Sequence, residues 1–157
     1  MQLSDYVTYT RKYKAYLCCV NRLEGPQTDL ALYARYLPLK TPSERNFYRD
    51  FLKAIPQQLD EVRELLKCGL QEKRTPPQVS LSGVVDQIRG MIDDGLVAFS
   101  GSIQNCFKLP EEQELKDECE SLIQGPATDA FKNFAEYLDK QYIPNLRTEI
   151  SASKGYP

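Results

Sequence analysis

The side chains here that could do covalent or metal chemistry are five cysteines, Cys18, Cys19, Cys68, Cys106 and Cys119, and an acidic run, Glu111, Glu112, Glu114, Asp117, Glu118 and Glu120. No histidine accompanies them among the 157 residues. Imidazole is the commonest metal ligand and the only side chain that titrates near neutrality unperturbed. Its absence removes the usual base for a thiol or hydroxyl nucleophile. The cysteines form no C-x-x-C pair, and Cys18 and Cys19 are adjacent, so they point different ways on a helix. They read as reduced thiols packed as small apolar groups.

The acidic run lies on a helical stretch without the loop spacing and turn glycine that a calcium site needs, so it reads as a solvated face. Asp93-Asp94-Gly95 reads as a helix end, and Ser151-Ala152-Ser153-Lys154 stands outside any recognisable Ser-Lys catalytic setting. No glycine-rich loop leads into a helix to cradle phosphate. A cryptic Cys- or Lys-based enzyme stays open as the least favoured reading. On these residues no catalytic, cofactor-binding or metal-ligating position is assigned.

Tyr6, Tyr9, Tyr13 and Tyr16, with Arg11, Lys12 and Lys14 between them, have the composition of a stacking platform for single strands. Their three-four spacing is better read as a helix–helix seam whose hydroxyls reach the rim. Twenty basic against twenty-two acidic residues give a net charge of -2, which leaves no basic excess for phosphates and argues against a nucleic-acid partner. The longest purely apolar run, Ala15 to Val20, is far short of the ~18 residues a membrane helix needs. The first residues carry no secretory signal, and a cytoplasmic location is the default expectation.

These residues are positioned by helices. Apolar positions from Leu3 to Leu23 recur in steps of three and four, predicting one amphipathic helix with Ser4 as N-cap and Gly25-Pro26 as its end. A short helix carries Leu30, Tyr33, Tyr36 and Leu37 and stops before Pro38. Thr41-Pro42-Ser43-Glu44 is a capping box. Behind it Phe47, Tyr48, Phe51, Leu52 and Ile55 form one apolar face that Leu59, Val62, Leu66 and Leu70 continue. Pro56 divides or kinks this stretch.

Thr75-Pro76-Pro77 repeats the cap-then-proline pattern before Val84, Val85, Ile88, Met91 and Ile92, and Gly95 closes that helix. The stretch from Leu96 to Leu109 lacks sustained periodicity and reads as a loop touching the core through Val97, Phe99 and Phe107. Pro110-Glu111-Glu112 opens a helix buried through Leu115, Cys119, Leu122 and Ile123 and ended by Gly125-Pro126. The last helix carries Phe131, Phe134, Leu138, Tyr142 and Leu146, with Pro144 bending its final turn. No alternating strand pattern occurs. The expected class is all-α, a multi-helix array spanning residues 1–157 as one region and belonging to a larger helical domain.

Tyr36-Leu37-Pro38-Leu39 with Thr41-Pro42, Ile55-Pro56, Thr75-Pro76-Pro77, Gly83-Val84 with Gln87-Ile88, Tyr142-Ile143-Pro144, and Ser153-Lys154-Gly155-Tyr156-Pro157 occur in this order. The ordered set, over about 30–157, resembles the family called domain of unknown function 885. That family is similar to helical zinc-dependent peptidases of the gluzincin type, with a motif of the form His-Glu-x-x-Pro-Gly-His-His in its larger members. The resemblance implies zinc for the full-length family and a partial segment here. Without histidine, no residue of this chain carries over as a zinc ligand or as the general base beside one. The implied role is a non-catalytic helical segment forming part of the wall of a peptidase-like cleft. A free-standing helical interaction module is the alternative. The partner would be the C-terminal half or another helical protein surface, with self-association through the tyrosine stripe.

The chain alone is therefore expected to bind no catalytic zinc. Isothermal titration that finds stoichiometric, sub-micromolar zinc binding would overturn this.

Overall fold

The computed structural model describes residues 3–107 and 110–150. In chain order its helices are α1 (Leu3–Tyr13), α2 (Pro26–Tyr36), α3 (Pro42–Gln71), α4 (Val84–Asp93), α5 (Val97–Cys106), α6 (Gln113–Leu122) and α7 (Thr128–Tyr137). Short 3-10 turns occupy Ala15–Cys18, Gln78–Leu81, Pro110–Glu112 and Ile143–Asn145. No strand occurs among the described residues, where the one extended pairing is an isolated bridge between Pro77 and Arg147. The protein is all-α.

The capping box at Thr41 forms as its residue types require. The Glu44 amide donates to Thr41 Oγ1 at 3.3 Å, while the Thr41 and Lys40 amides donate to the Glu44 carboxylate at 2.8 Å each. These amides hold the Glu44 carboxyl below the usual carboxylate range. From this cap α3 runs 30 residues without a break, with Pro56 inside it. The broken backbone bond at Pro56 is tolerated because Ile55 and Leu59, on either side, are buried in the core.

Tyr48, Leu52, Ile55, Leu59 and Leu66 line the buried stripe of α3, against which α6 and α7 pack. α4 lies on α7, and α5 lies on α2. Tyr48 Oη donates to the Phe99 carbonyl at 2.8 Å, pinning α5 to α3. Arg45, buried, donates to the Leu39 and Lys40 carbonyls and pairs with Glu112, so one guanidinium ties the α2–α3 connection to the start of α6.

Several elements differ from the sequence reading. The first helix stops at Tyr13, because Lys14 takes a left-handed conformation, φ 48°, and the chain tightens into a 3-10 turn. This break lets Leu17 and Val20 reach the core, where a continuous helix would have carried them round its own axis. Ser4 lies inside α1 rather than capping it. Gly25 at φ 137°, with Pro26 behind it, opens α2 instead of closing the first helix.

Thr75 does not cap. It is buried with its carbonyl accepting from Arg147 Nε at 2.9 Å, and α4 begins at Val84, behind Gly83. The segment expected to be a loop after Leu96 is the helix α5, hidden in the sequence because Ser100, Gly101 and Ser102 separate its two core anchors, Phe99 and Ile103. Phe99 and Phe107 are buried as expected, whereas Val97 is exposed.

Gly125-Pro126 does not end a helix either. The chain passes from α6 to α7 through a π turn, Ile123–Ala127, and a second π turn, Leu138–Tyr142, follows α7. The wider turn absorbs the proline, which has no amide to donate. Thr128 Oγ1 donates to the Ile123 carbonyl at 2.7 Å within it.

The 3-10 turn lies so close to α3 that a Cβ on Gly69 would sit 3.0 Å from the Arg74 carbonyl oxygen and 3.1 Å from that of Leu17. Gly-to-Ala in an open helix interior stabilises by ~0.5–1 kcal/mol; here backbone must move, so Gly69→Ala is expected to destabilise. Leu66→Ala, at a fully buried position, is expected to cost ~2–5 kcal/mol. Chemical denaturation checks both, and a loss below about half a kcal/mol for Leu66→Ala would mean its face is not packed.

Candidate functional site

The residues singled out for chemistry are dispersed. Cys119 is buried, Cys18, Cys19 and Cys106 are half-buried, Cys68 is exposed, and all five are free thiols. Burial pushes the Cys19 thiol up, and pushes Cys119 up to about 11. A nucleophilic thiol is shifted the other way, towards thiolate at neutral pH.

Three members of the acidic run are paired, two of them with α3. Glu112 meets Arg45, Glu118 accepts from Lys53 Nζ at 2.6 Å, and Asp117 accepts from Gln113 Nε2 at 2.6 Å. The Glu111 side chain and the Ser151–Lys154 segment lie outside the described residues. Asp93 and Asp94 close α4. Among the described residues no group of three or more Cys, Asp or Glu is placed to hold a metal ion. The side chains of Tyr6 and Tyr9 also lie outside the described set; Tyr13 and Tyr16 are exposed, so they form no buried seam.

What the structure does assemble is a groove between α2 and α3, of about 670 Å³. Leu30, Tyr33 and Leu37 line it from the α2 side, and Phe47, Phe51, Val62 and Leu65 from α3. Cys19, Gly25 and Pro26 border it, and the exposed side chains of Asp29, Gln58 and Glu61 give it a polar edge. The groove exists because α3 is apolar over a wider arc than α6 and α7 cover. Tyr48 and Leu66 are fully buried on the core side, while their neighbours Phe47 and Leu65 are 59% and 36% exposed.

Successive helical residues stand about 100° apart, so the doublets Phe47-Tyr48, Phe51-Leu52 and Leu65-Leu66 mark an arc too broad for one contact. That signal was available in the sequence, where Phe47, Tyr48, Phe51, Leu52 and Leu66 read as one apolar face and Leu65 was not singled out. Of the residues that mark the second helix in the sequence, Leu30 is buried together with Ala34, whereas Tyr33 and Tyr36 are 63% and 76% exposed.

Chemically the groove offers apolar and aromatic surface with carboxylates beside it. It suits an amphipathic helix, the mode in which apolar anchors sit in a hydrophobic trough and charges flank them. The Cys19 thiol beside it is kept neutral by burial.

The fold is thus an all-α array built on one long helix and bearing an open interhelical groove. The chain belongs to the family described as bacterial protein of unknown function (DUF885), whose model matches residues 3–156, including α1 and the turn ahead of Leu30. No curated protein and no solved structure matches it. No helix among the described residues is long and apolar enough to cross a membrane.

Thiol labelling at neutral pH, resolved by mass spectrometry, is expected to modify exposed Cys68 first and Cys119 last. Fastest labelling at Cys19 or Cys119 would indicate an activated thiol instead.

Proposed function

We propose that this chain is a non-catalytic helical segment that acts by seating another helical surface in the α2–α3 groove. The carrying observation is the exposure of Phe47 beside fully buried Tyr48, which leaves the longest helix apolar on a side its own neighbours do not cover. Contiguous exposed apolar area is a feature of binding surfaces, and Phe47 lies on the same groove as Phe51 and Leu65.

The likeness of the wider family to helical zinc peptidases supports placing the segment in the wall of a peptidase-like cleft, with zinc and its histidines supplied outside this chain. The dispersal of the acids and the upward-shifted Cys19 and Cys119 favour this over a Cys-based enzyme. A free-standing interaction module would use the same groove in the same way.

Two measurements test the reading. The chain is expected to bind an environment-sensitive apolar dye, and Phe47→Glu to reduce that binding without loss of helical circular dichroism. A mixed peptide library is expected to stay intact; hydrolysis abolished by a chelator would overturn the non-catalytic role.

A further inference from the structure

We propose that the α2–α3 groove receives a cationic amphipathic helix of a partner protein, one whose apolar face is flanked by lysine or arginine. This rests on the docking reading above and names the chemistry of the occupant.

Charge is segregated around α3. Arg49 and Lys53 turn towards α6, where both meet Glu118, at 3.8 and 2.6 Å, and Arg45 pairs with Glu112 ahead of that helix. Arg49 is two residues from both Phe47 and Phe51, and Lys53 two from Phe51, so each stands ~200° of rotation away from the groove's aromatic side chains. Glu61 is four residues from Leu65 and shares its side of the helix. The acids of α6 thus hold these α3 cations on one flank, and an acid is left on the other.

That acid has a counterpart across the groove. Glu61 stands on the α3 wall and Asp29 on the α2 wall, both exposed, and among the described residues neither enters an ion pair. Glu61 accepts only a neutral amide, Gln57 Nε2, at 2.8 Å among the described partners. Glu61 and Leu65 also line an adjoining depression with Asp60 and Glu64. Those two are paired to Arg63 and Lys67. Among the described residues no Lys or Arg lines either hollow.

An occupant that covers the apolar floor must meet Glu61 and Asp29. A neutral or acidic rim would strip water from two carboxylates without compensation, whereas lysine or arginine would pair with one on each wall. Leu37 and Phe47 flank the short α2–α3 connection, so the two acids lie towards the other end of the groove. From Phe47 to Leu65 the α3 wall spans ~27 Å, the length of about five helical turns. Apolar anchors of the partner helix therefore face Tyr33, Phe47 and Phe51, and its cations sit beside Asp29 and Glu61.

Three synthetic peptides of about 18 residues, sized to that wall, test this on the full 157-residue chain by fluorescence anisotropy. One carries a leucine stripe at three-four spacing flanked by lysine, one the same stripe flanked by glutamate, and one the lysine composition scrambled so that no stripe forms. The striped lysine peptide is expected to bind at least ~10-fold more tightly than either other peptide. Asp29→Lys with Glu61→Lys, helical by circular dichroism, is expected to reverse the order of the two striped peptides. Equal binding of the scrambled and striped lysine peptides overturns the proposal, and so does a lysine preference that persists in the double variant. Equal binding of both striped peptides, lost in Phe47→Ala, would leave the docking reading standing while the cationic occupant falls. A wild-type dimer in sedimentation velocity that Phe47→Ala dissociates would make a second copy the occupant instead. Binding of neither striped peptide overturns the cationic occupant, and if apolar dye is not bound either, the docking reading falls with it.

Discussion

Everything in this protein leans on α3, and the governing constraint is the angular width of its apolar surface. A 30-residue helix starting from the Thr41 box offers one stripe, Tyr48 to Leu66, to α6 and α7, and a neighbouring stripe that they cannot reach. The first stripe organises the core. The second is half-covered by α2 and leaves the groove. Fold and candidate site are therefore two consequences of the same helix, divided by about 100° of rotation per residue.

Backbone accommodations elsewhere serve that helix. Lys14 breaks what would have been a long amphipathic helix, and in return Leu17 and Val20 are buried and the 3-10 turn settles on Gly69. The π turns on either side of α7 leave its buried face, Phe131 and Phe134, and Leu138 just beyond it against the core despite a proline between α6 and α7. Arg45 works at longer range. Its guanidinium is withdrawn from water, and the Glu112 carboxylate with two carbonyls compensates the lost hydration, so the connection closing one end of the groove is fixed by the start of α6.

The chemistry-bearing residues look different once placed. Acids that could have formed a cluster are partnered across helices by Arg45, Arg49 and Lys53, which makes them fasteners of α6 on α3. The thiol of Cys119 sits in the core and behaves as an apolar group held neutral by burial.

The helical class, the capping box at Thr41, the apolar face of α3 and the buried faces of α6 and α7 were legible in the sequence, because each depends on periodicity or on a cap within a few residues, whereas the sequence left open whether Pro56 divides or kinks the helix that runs through it unbroken. Family membership was legible too, from the order of its proline-marked segments. Three things were decided by the tertiary structure. Whether Gly25-Pro26 or Gly125-Pro126 ends a helix, starts one or widens into a π turn depends on what the next residues must bury. α5 owes its helix to the pocket that takes Phe99 and Ile103, since its own pattern is too weak to specify one. The groove appeared only when α6 and α7 covered one part of the α3 arc and left the rest, for a sequence states which residues are apolar while packing determines which of them are covered.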